Sequence, residues 1–315
     1  MKLLGAVSLA ALTTFSAFGK KGDRKDPINL VMVPSTDAEK LASNMDVLAK
    51  CLSKKTGLYF NVSVPNNYIV AVEGLGTKKV DLAFLTTFSY LLANKKYGAE
   101  AFLTVKRYGE VRYRGQILVR KDSGIKKITD LNGKKFAFTD PASTSGFVLP
   151  SILLKQNKVK IGKEVHAGKH DSVVTMVYQG TVDAGATYWS PQRPDGSLGD
   201  ARRRVLKQFP DVAEKVKILD FTEWIYNDPI VVGKHVKNLN VGQSKKCKSA
   251  KGKVPASCNF TAVVGKGLEK CVRANKEIFK AINSADDVIP SSPDKYVDFA
   301  KMLDKAGFDI EKLIK

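Results

Sequence analysis

The chain reads Phe136-Ala137-Phe138-Thr139-Asp140-Pro141-Ala142-Ser143-Thr144-Ser145-Gly146 at the point that says most about its fold. The apolar start of this stretch predicts a short strand. Asp140-Pro141 then predicts a turn, because the residue before a proline is disfavoured in the helical region. Three small hydroxyl residues, Ser143–Ser145, follow where a helix would begin, and Ser and Thr are preferred at helix N-termini. The free N–H groups and hydroxyls of such a terminus can hold an oxyanion. An ordinary capped helix and an oxyanion cradle both fit this stretch.

The N-terminus predicts export from the cytoplasm. Lys2 gives a positive start, Leu3–Leu12 is apolar, and Ala17-Phe18-Gly19 has the small residues of a cleavage site, so we read residues 1–19 as a signal peptide. The apolar part is shorter than the about 20 residues that a membrane span needs. No cysteine follows the cleavage site to carry a lipid. We therefore expect a periplasmic protein, secreted through a cleaved signal peptide.

Length and charge limit the architecture and the partners. The chain has 315 residues and a formal net charge of +21. This length exceeds one core of about 100–150 residues and suits two lobes. Lysine pairs such as Lys54-Lys55 and Lys126-Lys127 are spread along the chain and accompany no nucleic-acid-binding motif. The charge therefore predicts basic solvated faces that steer an anionic ligand, and no nucleic-acid partner.

The cysteines predict disulfide bonds, because an exported protein folds in an oxidising compartment. Four cysteines allow three pairings. The lysine-rich segment between Cys247 and Cys258 resembles a surface hairpin loop, so we favour Cys247–Cys258, with Cys51–Cys271 as the second pair. No C-x-x-C motif accompanies these residues, which argues against a metal site.

The hydrophobic pattern alternates between strands and helices, as in a doubly wound α/β sheet. Residues 27–105 read as βαβαβα, a second α/β unit begins near Tyr113, and Asn227–Val232 predicts a return to the first unit. We therefore predict a first lobe formed by residues 27–112 and 227–315 and a second lobe formed by residues 113–226. A ligand cleft is expected between two such lobes, at the carboxyl ends of their strands.

Several short blocks, each weak alone, occur in an order and spacing that are typical of one family. They are Asn66–Glu73, Val80–Leu85, Ser89-Tyr90, Lys121–Ile125, Asp130–Lys134, Phe136–Gly146, Gly168–Asp171, Gly180–Ala186 and Asp228–Ile230. Over about residues 28–305 the chain resembles the solute-binding proteins of ABC importers for phosphate, phosphite and phosphonates. The resemblance implies a type II periplasmic binding-protein fold, with two α/β lobes joined by a hinge. We accordingly expect no enzyme activity, cofactor or metal, and a monomer that docks on a membrane permease.

Carried over position by position, the resemblance predicts the ligand-binding residues. It places the oxyanion cradle on Ser143, Thr144 and Ser145, whose hydroxyl and amide groups would donate hydrogen bonds to charged oxygens. The positions that match the family's further ligand residues are Tyr68, Tyr113, His170 and Asp228. Outside this family, a lone tyrosine or histidine at these positions would be read as packing.

One departure from the family pattern bears on the ligand. Aminoalkylphosphonate binders of this family place two carboxylates around the ligand's ammonium group. Asp228 matches one of them, but the second position falls within Ala186–Pro191, where no acidic residue occurs and where Tyr188 or Trp189 could either cover a small ligand or simply pack. Since a buried cation requires paired charge, the sequence predicts phosphate, phosphite or a short alkylphosphonate, from whose P–OH group Asp228 could accept a hydrogen bond.

Two other functions stay open at this point. A sensory binding protein of the same fold would present its ligand to a membrane receptor, and the chain does not separate that role from import. A serine-dependent hydrolase would use Ser143 as nucleophile, His170 as base and Asp171 to orient the base. The chain lacks the G-x-S-x-G elbow of such enzymes, so we place the hydrolase last.

Overall fold

The computed structural model describes residues 20–193, 195–241, 258–283 and 285–308. The predicted signal peptide, residues 1–19, lies outside these ranges. Within them the chain forms two β-sheets with helices packed against them, which confirms the predicted α/β class.

The first sheet combines strands from both ends of the chain. Its strands in the described residues are β1 (Ile28–Met32), β2 (Phe60–Ser63), β3 (Leu82–Phe84), β4 (Glu100–Lys106), β10 (Pro229–Val232) and β11 (Asp287–Pro290). Their spatial order is β11-β4-β10-β3-β1-β2. Strand β1 pairs in parallel with β2 and β3, whereas β10 lies antiparallel between β3 and β4.

The second sheet is built from the middle of the chain. Its strands are β5 (Arg112–Arg120), β6 (Lys135–Phe138), β7 (Lys163–His166), β8 (Ala184–Trp189) and β9 (Val216–Tyr226), in the order β7-β6-β8-β5-β9. Strand β6 pairs in parallel with β7 and β8, and β5 pairs antiparallel with β8 and β9. The division into lobes at residues 112/113 and 226/227 stays our proposal.

Helices cover both sheets. Those of the described residues are α1 (Ala38–Thr56), α2 (Tyr68–Gly76), α3 (Thr87–Tyr97), α4 (Leu149–Gln156), α5 (His170–Gln179), α6 (Val212–Lys215), α7 (Phe260–Ala274), α8 (Lys276–Asn283) and α9 (Val297–Lys305). In the part of the chain that the structure describes, none of these is at once long and apolar enough for a bilayer span.

Helix α1 shows how local sequence sets the elements. The side chain of Asp37 accepts a hydrogen bond from the Lys40 N–H at 2.9 Å and caps the first turn. Leucine and methionine residues at helical spacing then form its buried face. The helix ends at Gly57, whose φ of 77° is the left-handed conformation that favours glycine.

The chain crosses between the sheets after β4 and again after β9, and the two crossings are bonded together. The Asn227 N–H donates to the Val111 carbonyl at 2.8 Å, and the fully buried Asn227 amide donates to the Val105 and Glu110 carbonyls. A continuous apolar cluster also joins the lobes, with Val148 of the second lobe in the same cluster as Phe88 of the first. Together these features fix how the two sheets face each other.

A disulfide bond joins Cys51 of α1 to Cys271 of α7 across a sequence separation of 220 residues. This is the second of the two pairs predicted from the sequence. The other, Cys247–Cys258, involves a residue outside the described ranges, because Cys247 is not among them. The observed bond fastens the C-terminal helical segment to the first helix of the same lobe.

Candidate functional site

A cavity lies between the two sheets, where β1 and β3 end and residues after β6 and β8 face them. Its volume is about 50 Å³, measured as the space open to the centre of a water molecule. One water needs about 10–15 Å³ on that measure, so the cavity suits a ligand of a few heavy atoms. It is lined by Met32, Val33, Ser35, Tyr68, Phe84, Leu85, Thr86, Arg107, Tyr113, Ser145, His170, Tyr188, Ser190, Arg204 and Asp228.

Most of the residues predicted from the sequence meet at this cavity, namely Tyr68, Tyr113, Ser145, His170 and Asp228. The start of α2 places Tyr68, because Asn67 caps that helix and the Tyr68 N–H donates to Asp140 Oδ2 at 3.2 Å. Burial raises the pKa of both Tyr68 and Tyr113 well above the ordinary tyrosine value, and nearby carboxylates add to the shift. Both phenols are therefore protonated, and the Tyr68 hydroxyl, which has no partner among the described residues, has its proton available for a ligand. Contact with a ligand stays a prediction for all of these residues.

Ser143 and Thr144 are buried but do not line the cavity. Ser143 Oγ accepts a hydrogen bond from the Gly146 N–H at 3.2 Å and caps the π-helical turn Thr144–Val148. Thr144 Oγ1 accepts from the Phe88 N–H of the first lobe at 2.9 Å. Because successive side chains of a helical turn point in different directions, Ser145 is the member of this hydroxyl stretch that faces the cavity.

Arg107, which the sequence analysis did not single out, lines the cavity just after β4. Its Nη2 donates to Asp228 Oδ2 at 2.6 Å and its Nη1 donates to Asn227 Oδ1 at 3.2 Å. The Tyr113 hydroxyl donates to the other carboxylate oxygen, Asp228 Oδ1, at 3.2 Å. Protein donors therefore engage both oxygens of Asp228, and its charge is balanced by Arg107.

A second arginine, Arg204, reaches the cavity from the 3₁₀ turn Ala201–Val205. Its Nε donates to the Tyr188 hydroxyl at 3.1 Å, and the Tyr188 ring packs edge-on against His170 with centroids 4.9 Å apart. Burial favours a higher pKa for Tyr188, but the charges of Arg204 and Arg203 outweigh it, and the net effect lowers this pKa. The sequence analysis also missed Arg204. The sequence feature that could have indicated Arg204 is the basic triplet Arg202–Arg204. A sequence does not show which of three adjacent arginine side chains is directed into the protein.

Several buried polar atoms at the cavity have no hydrogen-bond partner among the residues that the structure describes. They are the Tyr68 hydroxyl oxygen, His170 Nδ1 and Ser190 Oγ. Buried polar groups are normally hydrogen-bonded, so three such groups around one cavity indicate a polar ligand. Two guanidinium groups face a single carboxylate there, so the ligand that this lining suits is an anion.

His170 at the start of α5 is uncharged in this environment. Burial lowers the pKa of His170 to about 3, and the positive charges of Arg204 and Arg107 act in the same direction. The imidazole can therefore offer one hydrogen bond to an anion without carrying a buried charge of its own.

The shifted histidine predicts a loss of stability in acid. The folded-state pKa of about 3 lies below the ordinary value of 6.5, so between these values the unfolded chain binds a proton that the folded protein does not. Stability should therefore fall as the pH drops below about 6.5, and His170 should account for about 2 kcal/mol between pH 7 and pH 5. Urea unfolding of the wild type and of His170→Gln at both pH values measures this share. An identical pH dependence of unfolding in the wild type and the variant would show that His170 has the same pKa in the folded and the unfolded protein.

The hydrolase alternative lacks its geometry. His170 Nδ1 has no partner, and an Asp171 carboxylate oxygen accepts a hydrogen bond from the Ser172 N–H at 3.1 Å. Ser143 Oγ accepts from Gly146 rather than standing at the cavity. A nucleophile must be bonded to a base that a third group orients, and these side chains do not form that chain of hydrogen bonds.

Comparison with known proteins assigns the family. The family model described as the periplasmic substrate-binding protein of phosphonate ABC transporters matches residues 30–243. The chain is 32% identical, over 52% of its own length, to the phosphate-import protein PhnD of Mycolicibacterium smegmatis. It is 28% identical, over 49% of its length, to a probable ABC transporter phosphite-binding protein of Prochlorococcus marinus. In both comparisons the match spans only 55% of the relative.

A solved structure extends the likeness in fold. The structure of PhnD1 from Prochlorococcus marinus in complex with methylphosphonate is similar, with a TM-score of 0.68 and 19% sequence identity. The alignment covers 90% of this chain and 98% of the PhnD1 chain. The fold is that of the type II periplasmic binding proteins, whose place is outside the cytoplasm, and the members of the matched family bind substrates rather than transform them. The chain therefore belongs to the family of periplasmic substrate-binding proteins of phosphonate ABC transporters.

Proposed function

We propose that this protein captures a small phosphorus oxyanion (phosphate, phosphite or a short alkylphosphonate) between its lobes and delivers it to the membrane permease of an ABC importer. The observation that carries the proposal is the cavity of about 50 Å³, at which Arg107 and Arg204 meet buried hydroxyl and imidazole groups that have no partner in the described part of the chain. A tetrahedral oxyanion offers several acceptor oxygens, and each could take a donor from a different wall of this cavity.

The lining also argues against a ligand that carries an ammonium group. Asp228 is the carboxylate of the described residues that lines the cavity, and Arg107 and Tyr113 already bond both of its oxygens. A buried ammonium would lack an unshared carboxylate and would face two guanidinium groups. We therefore place aminoethylphosphonate outside the ligand range.

Ligand entry requires the lobes to separate, which we propose occurs by hinge motion at the two crossings. The hydrogen bonds between the lobes include the Phe88 N–H to Thr144 Oγ1 and Thr86 Oγ1 to the Ala142 carbonyl at 3.0 Å. Opening would break such bonds and part of the apolar contact between the lobes, and closure around the ligand would restore both.

Export through the 1–19 signal peptide completes the proposal. Cleavage after Gly19 would leave Lys21 as the second residue of the mature chain. Lys21 Nζ lies 2.8 Å from Oδ2 of the fully buried Asp81. The mature chain would therefore be fastened to the first sheet from its start.

A stability panel tests the proposed ligand class. The mature protein should be unfolded and refolded to remove any carried-over ligand, then melted with phosphate, phosphite, methylphosphonate, aminoethylphosphonate or sulfate. A ligand at 100 times its Kd adds about 2.7 kcal/mol, which should raise Tm by about 5–10 °C. We expect this shift with at least one of the first three anions and none with aminoethylphosphonate. No shift with any phosphorus compound would overturn the proposal.

A further inference from the structure

Tyr108 has a backbone conformation that needs an explanation. Arg107 and Glu110 exchange both backbone hydrogen bonds, at 2.9 and 2.8 Å, and so close a two-residue hairpin turn. The central residues Tyr108 and Gly109 have φ values of 52° and 83°. Such a turn favours Asn followed by Gly, because both central residues are left-handed. A bulky tyrosine is unfavourable at the first of these positions.

The side chain of Tyr108 makes a contact that an asparagine could not reproduce. Its hydroxyl oxygen accepts a hydrogen bond from Arg193 Nε at 3.0 Å, and the pair is partly buried. Arg193 belongs to the segment that follows β8 in the second lobe, whereas Tyr108 lies on the crossing from the first sheet. The bond therefore ties the crossing to the second lobe.

The two segments that this bond connects both contribute residues to the lining of the cavity. Tyr108 directly follows Arg107, which is paired with Asp228 in the cavity wall. Arg193 lies between Ser190 and Arg204, which both line the cavity. The Pro191 end of that segment is packed against its Gly199 end so closely that a Cβ on Gly199 would lie 1.8 Å from the Pro191 carbonyl oxygen. A restraint on Arg193 is therefore expected to act on Ser190 and, through the segment that follows Gly199, on Arg204.

We infer that Tyr108 is a positioning residue of the anion site, held in an unfavourable backbone conformation because its bond to Arg193 keeps Ser190 and Arg204 over the cavity. The inference rests on the proposed anion-binding function. It assigns Tyr108 no contact with the ligand itself. Its distinctive consequence is that stability and affinity respond in opposite directions when the side chain is replaced.

Two variants distinguish the effect of the backbone conformation of Tyr108 from the effect of its hydroxyl group. Tyr108→Asn places the favoured residue in the turn but removes the bond, so we expect Tm of the ligand-free protein to rise by about 1–3 °C. The Kd for the oxyanion that gives the largest thermal shift should at the same time increase about fivefold to tenfold. Tyr108→Phe keeps the unfavourable backbone and loses the hydroxyl, so affinity should fall similarly without a gain in Tm. The loss should appear in the dissociation rate, which stopped-flow tryptophan fluorescence measures.

A matched control comes from Lys158, an exposed residue on the second lobe with a φ of 56° and no place at the cavity. Lys158→Asn should raise Tm without changing Kd. The Arg193 guanidinium also lies over the Tyr108 ring, 5.5 Å from its centroid, so a double-mutant cycle of Tyr108→Asn with Arg193→Gln should show that the second substitution adds little to the first. Unchanged Kd and dissociation rate in both Tyr108 variants, or additive losses in the cycle, would overturn the inference.

A failure of the Tyr108 inference can be distinguished from a failure of the proposed function. If the refolded wild type binds no phosphorus oxyanion, the proposed function fails, and the Tyr108–Arg193 bond is then judged by amide hydrogen exchange of the ligand-free proteins. Loss of the bond should speed exchange in residues 190–193 and 201–205 of Tyr108→Phe relative to the wild type, whereas Lys158→Asn should match the wild type there. Equal exchange rates in all three proteins would contradict the inference.

Discussion

Replacing Arg204 by glutamine is expected to weaken oxyanion binding about 100-fold, because a charge-assisted hydrogen bond in a buried site is lost and cannot be replaced by water. The guanidinium lies at the cavity and is oriented by its bond to the Tyr188 hydroxyl. Titration calorimetry of the refolded variant measures the affinity. The same substitution should raise the pKa of His170, since the Arg204 charge helps to depress it. Nuclear magnetic resonance of the imidazole detects that change.

Arg203→Gln is the matched control for this experiment. Arg203 is the preceding residue in the same 3₁₀ turn and does not line the cavity. The control removes an equal charge from a neighbouring position that does not line the cavity, so it reports the electrostatic contribution without contact at the cavity. We expect a change in Kd of less than about threefold. Equal losses in the two variants would mean that Arg204 acts through overall charge rather than through contact.

Removing the Cys51–Cys271 disulfide with a double alanine substitution is expected to lower the free energy of unfolding more than any of the other substitutions proposed for this protein. The bond closes a loop with a sequence separation of 220 residues. The restriction of the unfolded chain by this bond predicts a contribution of about 5 kcal/mol to the free energy of unfolding. Since about 1 kcal/mol shifts Tm by 2–4 °C in a protein of about 200 residues, the variant should melt about 10–20 °C lower.

The same variant should bind the oxyanion with unchanged affinity at a temperature where it is folded. Both cysteines lie on helices of the first lobe, and neither lines the cavity. Chemical unfolding and calorimetry measure the two quantities separately. A stability loss below about 1 kcal/mol would show that the unfolded chain is not restrained by this bond. A parallel loss of affinity would show that the bond orders the cavity as well.

Local sequence was sufficient to predict the turn that lines the cavity but not the direction of its side chains. The run Phe136–Phe138 forms β6, and Ser143 caps the turn that follows, as the residue types predict. The direction of each hydroxyl depends on the other lobe. Thr144 turns toward the Phe88 N–H, which lies 56 positions earlier in the chain. Such a long-range partner leaves no periodic signal within the stretch itself.

The positions of Arg107 and Arg204 at the cavity could not be predicted from the sequence, for a related reason. Arg107 follows a strand and Arg204 is the last residue of a basic triplet, and in a chain with 52 lysine and arginine residues both resemble solvated charge. Their burial depends on Asp228 and Tyr188, which the fold brings from distant positions. Asp228 was identified only through the family motif, and its pairing with Arg107 required the structure. The α/β alternation was predictable because helical and strand periodicities are local properties.

A crystal structure of the refolded protein, grown with the anion that gives the largest thermal shift, tests the proposed function most directly. We predict electron density for a tetrahedral anion in the cavity. Arg204, the Tyr68 hydroxyl, His170 and Ser190 should lie within hydrogen-bond distance of its oxygens, and Asp228 should still be paired with Arg107. An anion bound elsewhere, with the Tyr68, His170 and Ser190 groups still unpartnered, would contradict the assignment of this cavity as the ligand site.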